Sequence, residues 1–87
     1  MTMFEEETAK LLLKLARKNN WNNSYDRTEH FKWFPNLDKI IKELSKLGWL
    51  ILHKKPSYLG ISLTTRYKEE IFKFIKKYLP HTREMLK

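Results

Sequence analysis

The chain contains no cysteine, and that absence excludes a disulfide framework, a thiolate metal site and a cysteine nucleophile. Glycine is almost as scarce. With Gly48 and Gly60 as the only two, a glycine-rich phosphate loop is excluded, and P-loop nucleotide hydrolysis with it. Apolar runs are never more than a few residues long, so no segment reads as a membrane span. Residues 1–7 carry Glu5, Glu6 and Glu7 where a secretory signal would need positive charge, so export is not expected and a reducing cytoplasm fits the missing cysteine. The three histidines, His30, His53 and His81, lie far apart, and none is read as paired with an acid or another histidine at metal-ligand spacing. Glu29 and His30 are adjacent, and adjacent residues on a helix point in different directions. Neither an enzyme nor a cofactor is expected, and no metal site.

What the chain does have is positive charge. Eighteen basic residues against 10 acidic give +8 over 87 residues, and the excess is uneven. Residues 1–35 contribute +1 (6 basic, 5 acidic), residues 36–63 contribute +3 (5 and 2), and residues 64–87 contribute +4 (7 and 3). Polyanions are the natural partners of such a surface, because each neutralised phosphate releases condensed counterions. An apolar content of 41% supports one core in one domain over residues 1–80, followed by a short basic tail at 81–87. Heavy lysine use with few glycines is a composition found in thermophile proteins.

The first helix is expected over Phe4–Lys18, with Phe4, Leu11, Leu12, Leu15 and Ala16 on one face, acids in its first turn and Arg17 and Lys18 in its last. Leu13 lies off that face. A polar loop follows from Asn19 to Tyr25; its Asn22-Asn23-Ser24 matches a glycosylation pattern that has no meaning without export. Asp26 and Glu29 stand at capping-box spacing, which predicts a short second helix from Arg27 to about Phe34, ended by Pro35. Phe31, Trp33 and Phe34 on that helix are expected to fill the core.

Leu37, Ile40, Ile41, Leu44 and Leu47 recur at helical spacing and predict a helix over 37–47 with Asn36 as its cap. Lys39, Lys42 and Lys46 point away from this stripe, with Asn36 beside them at the amino-terminal end. Gly48 is placed to stop the helix in a left-handed conformation, with Trp49 closing the cap. Trp49–Lys54 and Leu59–Leu63 read as two strands, and Lys54, Lys55, Pro56, Ser57 and Tyr58 as the basic turn between them. Thr64 or Thr65 caps a last helix from about Arg66 to Leu79, stopped by Pro80. Its apolar face, with Tyr67, Ile71, Phe74, Ile75 and Tyr78, is widened by Phe72 and Leu79. The width suggests that a second copy covers it, a homodimer through Leu13, Phe72 and Leu79.

The order of these elements is α+β and resembles the winged helix-turn-helix superfamily over residues 4–79. Two passages carry the resemblance. Leu44-Ser45-Lys46-Leu47-Gly48-Trp49-Leu50 is similar to the junction of recognition helix and wing in small archaeal and prokaryotic transcription regulators of the multiple-antibiotic-resistance and PadR-like kind, and Ile61-Ser62-Leu63-Thr64-Thr65 is similar to their lead into the last helix. The resemblance implies a double-stranded DNA-binding regulator, with Asn36, Lys39, Lys42 and Lys46 in the major groove and Lys54, Lys55, Ser57 and Tyr58 on the backbone. The alternative is a winged-helix protein-interaction module in a replication, transcription or RNA-processing assembly, with the aromatic excess as its docking surface.

Overall fold

A computed structural model describes residues 4–80; His81 and the rest of the basic tail at 81–87 lie outside the described residues. The protein is α+β, with three α-helices and a three-stranded antiparallel sheet. Helix α1 spans Glu5–Arg17, strand β1 Asp26–Arg27, α2 Leu37–Leu47, β2 Leu50–Lys54, β3 Leu59–Leu63 and α3 Lys68–Tyr78. Short 3-10 turns occupy Thr28–Phe31 and Thr65–Tyr67. No described helix is long and apolar enough to cross a membrane.

Helix α1 buries Thr8, Leu11, Leu12 and Leu15, the i, i+3, i+4, i+7 set, and packs mainly on α3 and β3. Helix α2 buries Ile40, Ile41 and Leu44 against β2, and its end is fixed as expected. Gly48 adopts φ +78°, its N–H donates to the Ser45 carbonyl, and the Trp49 N–H donates to the Leu44 carbonyl, both at 3.1 Å. These are the two bonds of a Schellman stop, which only a residue free of a Cβ penalty enters cheaply. Trp49 then packs edge-on against Phe74 of α3.

The hairpin follows directly, with Leu50 opposite Leu63, Leu52 opposite Ile61 and Lys54 opposite Leu59. Strand β3 is central: β1 pairs with its other edge through Asp26 opposite Ile61 and Arg27 opposite Gly60. Further along β3, Leu63 exchanges backbone bonds with the loop, its N–H donating to Asn20 O (2.8 Å) and its carbonyl accepting from Asn22 N (2.7 Å). The Asn22 side chain is engaged with the Thr65 hydroxyl and N–H. Asn19, Asn22 and Asn36 all take left-handed backbone conformations, which asparagine tolerates better than most residues.

Several expectations are corrected. The second helix over 27–34 is replaced by a strand and one 3-10 turn, so the sheet has three strands rather than the two of a simple wing. The Asp26–Glu29 capping box does not form, because Asp26 is spent elsewhere: its carboxylate accepts from Arg27 N and meets Lys18 and His30. Phe31 and Phe34 are core residues, but Trp33 is 66% exposed. Asn36 makes no side-chain cap bond, since its left-handed backbone turns the side chain away; its carbonyl accepts from Ile40 N instead. The last α-helix starts at Lys68 because Thr64 caps the preceding 3-10 turn, its hydroxyl accepting from Arg66 N.

The surface expected for a second copy is largely filled by the chain itself. Leu79 is 9% exposed and belongs to the core, and Phe72 meets Trp21 edge-on at 5.7 Å. Leu13 is half-buried and faces a different feature, described below.

On the sheet face away from the main core, Gly60 lies beneath Tyr25. A Cβ there would stand 2.4 Å from a Tyr25 ring carbon, so the ring must shift before any side chain fits. Gly60→Ala is therefore expected to lower unfolding free energy by about 1–3 kcal/mol in urea denaturation. In a Tyr25→Ala background most of that loss should vanish; an unchanged loss would show that the Tyr25 contact is not its cause.

Candidate nucleic-acid interface

Helix α2 divides cleanly. Lys39, Lys42 and Lys46 are exposed on the side away from Ile40, Ile41 and Leu44, and Asn36 is exposed at the amino-terminal end, in one depression with Lys39. Among the described residues none of these three lysines has an acidic group within ion-pair distance, although Lys39 lies 5.8 Å from the Phe4 ring. Asp38 and Glu43 are on the same helix: Asp38 is exposed in the first turn, where it suits the dipole, and Glu43 is half-buried.

The wing turn closes by Lys55 N donating to Tyr58 O at 3.0 Å. Lys54, Lys55 and Ser57 are exposed, and neither lysine has an acidic partner among the described residues. Tyr58 differs from them in being braced. Its hydroxyl shares a 2.7 Å hydrogen bond with that of Tyr25, and the Arg27 guanidinium lies 4.1 Å from its ring centroid. The Lys55 ammonium is 5.7 Å from the Tyr25 ring, a second cation held near this pair.

Helix and wing come together at one place. An open cleft of about 380 Å³ is lined by Thr28, Glu29 and Lys32, by Leu37 and Asp38 from the start of α2, and by Ser57, Tyr58 and Leu59 from the wing. The wing tip thus stands beside the amino-terminal end of α2. A neighbouring depression holds Lys32, Asn36 and Lys39 together.

Two cations here escaped the sequence reading. Arg27 was assigned to a helix, yet it lies on β1 against the wing, paired with Glu29 at 3.0 Å. Lys32 follows the 3-10 turn and is exposed in both depressions. A two-residue strand has no periodicity to read, so only the tertiary structure places them.

Beneath the wing, Tyr25 stacks on His53 at 4.5 Å. The buried Ser62 hydroxyl donates to Asn22 O at 2.6 Å, so the 2.9 Å contact to His53 Nε2 requires that nitrogen to carry the donated proton. His30 is also partnered, against expectation, by Asp26 four residues earlier. Among the described residues no three His, Asp or Glu side chains gather as a metal site.

Three groups have displaced pKa values. Burial pushes the Asp26 carboxyl up, but hydrogen bonds from Lys18, His30 and Arg27 N together outweigh it, and the net displacement is downward. Glu29 raises Arg27 through their hydrogen bond. Tyr58 is raised first by its hydrogen bond to Tyr25 and then by burial, against the pull of Arg27 and Lys55.

In comparison with known proteins, the chain matches no protein-family model, no curated protein and no solved structure.

Because the folded-state pKa of Asp26 is depressed, its ionised form stabilises the fold above the unfolded value of about 4, and the contribution is lost as pH falls through the folded value. Wild type should exceed Asp26→Asn in urea stability at pH 7, with the gap closing only below about pH 4. A gap unchanged down to pH 2.5 would show that the carboxylate charge is not what ties β1 to α1.

Proposed function

We propose that this chain is a double-stranded DNA-binding protein of winged helix-turn-helix type, acting in transcription regulation. Helix α2 enters the major groove and the turn at 54–58 lies on the backbone. The observation that carries the reading is the exposure of two sets of lysines with no acidic partner among the described residues, Lys39, Lys42 and Lys46 on α2 and Lys54 and Lys55 on the wing, on elements whose near ends, Leu37 and Asp38 of α2 and Ser57, Tyr58 and Leu59 of the wing, line one cleft. A helix with its side chains is about 10–12 Å across and the major groove about 12 Å wide, so a helix exposing one full face can enter it. The α2 stop, the hairpin immediately after it and the capped lead into the last helix support the same layout. The element before α2 departs from that layout, being a single 3-10 turn where a helix-turn-helix has a full helix. Nothing in the reading requires a second copy: Leu79 lies in the core, and Phe72, half-buried, packs edge-on against Trp21.

The test is a fluorescence-anisotropy titration with random duplex and single-stranded DNA across a salt series, with solution mass recorded in the same buffers. Duplex should be preferred, and log affinity should fall linearly with log salt. Lys42→Ala should weaken binding to all duplexes and lower that slope by about one unit or less. Lys42→Glu with Lys46→Glu should abolish binding, whereas Lys73→Glu with Lys76→Glu on α3 makes the same change in net charge and should largely spare it. Equal loss in both double variants would reduce the interaction to bulk charge and sink the reading.

A further inference from the structure

On the other side of Phe34 an open groove of about 700 Å³ runs between α1 and the segment leading to α2. Its floor is apolar: Leu13, the exposed Trp33, Phe34 and Pro35. Its rim is cationic, with Lys10, Lys14, Arg17 and Lys18 against a single acid, Glu7. Lys10 is engaged by Glu6 and Lys18 by Asp26, which leaves Lys14 and Arg17 without acidic partners among the described residues. The Lys14 ammonium lies 4.8 Å from the Trp33 ring centroid. We infer that this groove docks an acidic, amphipathic segment of a protein partner, its apolar side chains against Leu13 and Trp33 and its carboxylates on Lys14 and Arg17.

Charge and shape select that occupant. Residues 10, 14 and 17 fall at i, i+4 and i+7, so their charges run along one edge of α1 for roughly 10 Å, the length of two turns of a helix laid beside it. Exposed tryptophan and arginine around an apolar floor are the residue types that dominate binding energy at protein interfaces. A second copy of this chain fits poorly: a twofold contact places the patch against itself and sets Lys14 and Arg17 facing like charges. Single-stranded nucleic acid needs successive ring platforms, and here Trp33 alone is exposed while Leu13 and Pro35 give an aliphatic surface. The groove residues are separate from the lysines of α2 and the wing, so the inference stands apart from the DNA reading.

The test is selection of random 16-residue displayed peptides on the full chain, followed by anisotropy titration of the selected peptides with fluorescent labels. Peptides rich in Asp and Glu, with apolar residues at helical spacing, should be enriched. Trp33→Ala, and separately Lys14→Glu with Arg17→Glu, should raise Kd by about ten-fold or more. Lys73→Glu with Lys76→Glu should change it less than about two-fold. Trp33 is exposed, so Trp33→Ala should keep the wild-type melting curve, and duplex affinity measured alongside reports on α2 separately. The proposal is overturned if no selected peptide depends on Trp33, or if the α3 variant weakens binding as much as the groove variants. It is overturned equally if a dT16 oligonucleotide binds at Trp33 more tightly than the peptides, or if the free protein is a dimer that Trp33→Ala dissociates.

Discussion

Strand β3 has to be covered on both faces, and the rest of the molecule follows from how that is done. On one face Ile61 and Leu63 join the main core with Leu11, Leu15 and Ile75. On the other, Gly60 is closed by the Tyr25 ring and Ser62 by His53 and the Asn22 carbonyl, so the loop after α1 must fold back across the sheet. That return path brings Asp26 and Arg27 into register as a third strand and sets the 3-10 turn that drops Phe31 into the core. On the opposite edge β2 takes α2 with it through the Gly48 stop. Helix and wing hold their relation because both hang on the same buried strand.

The elements legible in the sequence are those whose signal is local. Alternation in 59–63, the Gly48 stop and the 37–47 stripe each state a conformation within a few residues, and each element appears where expected, although Leu47 at the end of the stripe is 39% exposed. The failures share a different cause. Asp26 and Glu29 have the spacing of a capping box, but Asp26 has Lys18 and His30 available only in the folded chain, and a partly buried carboxylate hydrogen-bonded to both side chains and to Arg27 N is no longer free to cap. Leu79 and Phe72 looked like excess apolar surface because Trp21, more than 50 residues away, gave no sign that it would fold onto Phe72. Of the candidate interface, the exposed lysines were readable from one helix and one turn. The cleft between the start of α2 and the wing, and the places of Arg27 and Lys32, were not, because both rest on contacts distant in sequence.

Charge on this molecule is partitioned as well as abundant. The acids of the α1 region are largely occupied, Glu6 by Lys10, Asp26 by Lys18 and His30, and Glu29 by Arg27. Among the described residues the lysines of α2 and the wing are left without such partners, and exposed pairs of this kind stabilise a fold little. Leaving these lysines unpaired therefore costs the fold almost nothing, while it avoids the competition an internal carboxylate would set up against a phosphate. Asp38 lies in the cleft itself, together with Glu29, and on the proposed reading it would favour an approach by DNA from the Lys42 and Lys46 side over one head-on to the helix start.

A lysine ammonium donates as readily to a phosphate oxygen as to the acceptors of guanine, so lysines on α2 cannot by themselves decide which bases are read. Asn36 alone on that face offers donor and acceptor together, the pattern that adenine matches. Its position is set by backbone rather than by a flexible cap, φ +59° at the first turn of α2. On the proposed reading, register would come from contacts that fix where the duplex sits, and phosphate contacts do that only if their donors are rigid. The wing meets this condition through Tyr58, whose hydroxyl is tied to Tyr25 and whose ring is covered by Arg27, with Tyr25 in turn seated on Gly60 and His53. The packing that covers β3 is thus also what braces Tyr58, and on the proposed DNA-binding reading sequence discrimination would depend on that bracing more than on the number of lysines.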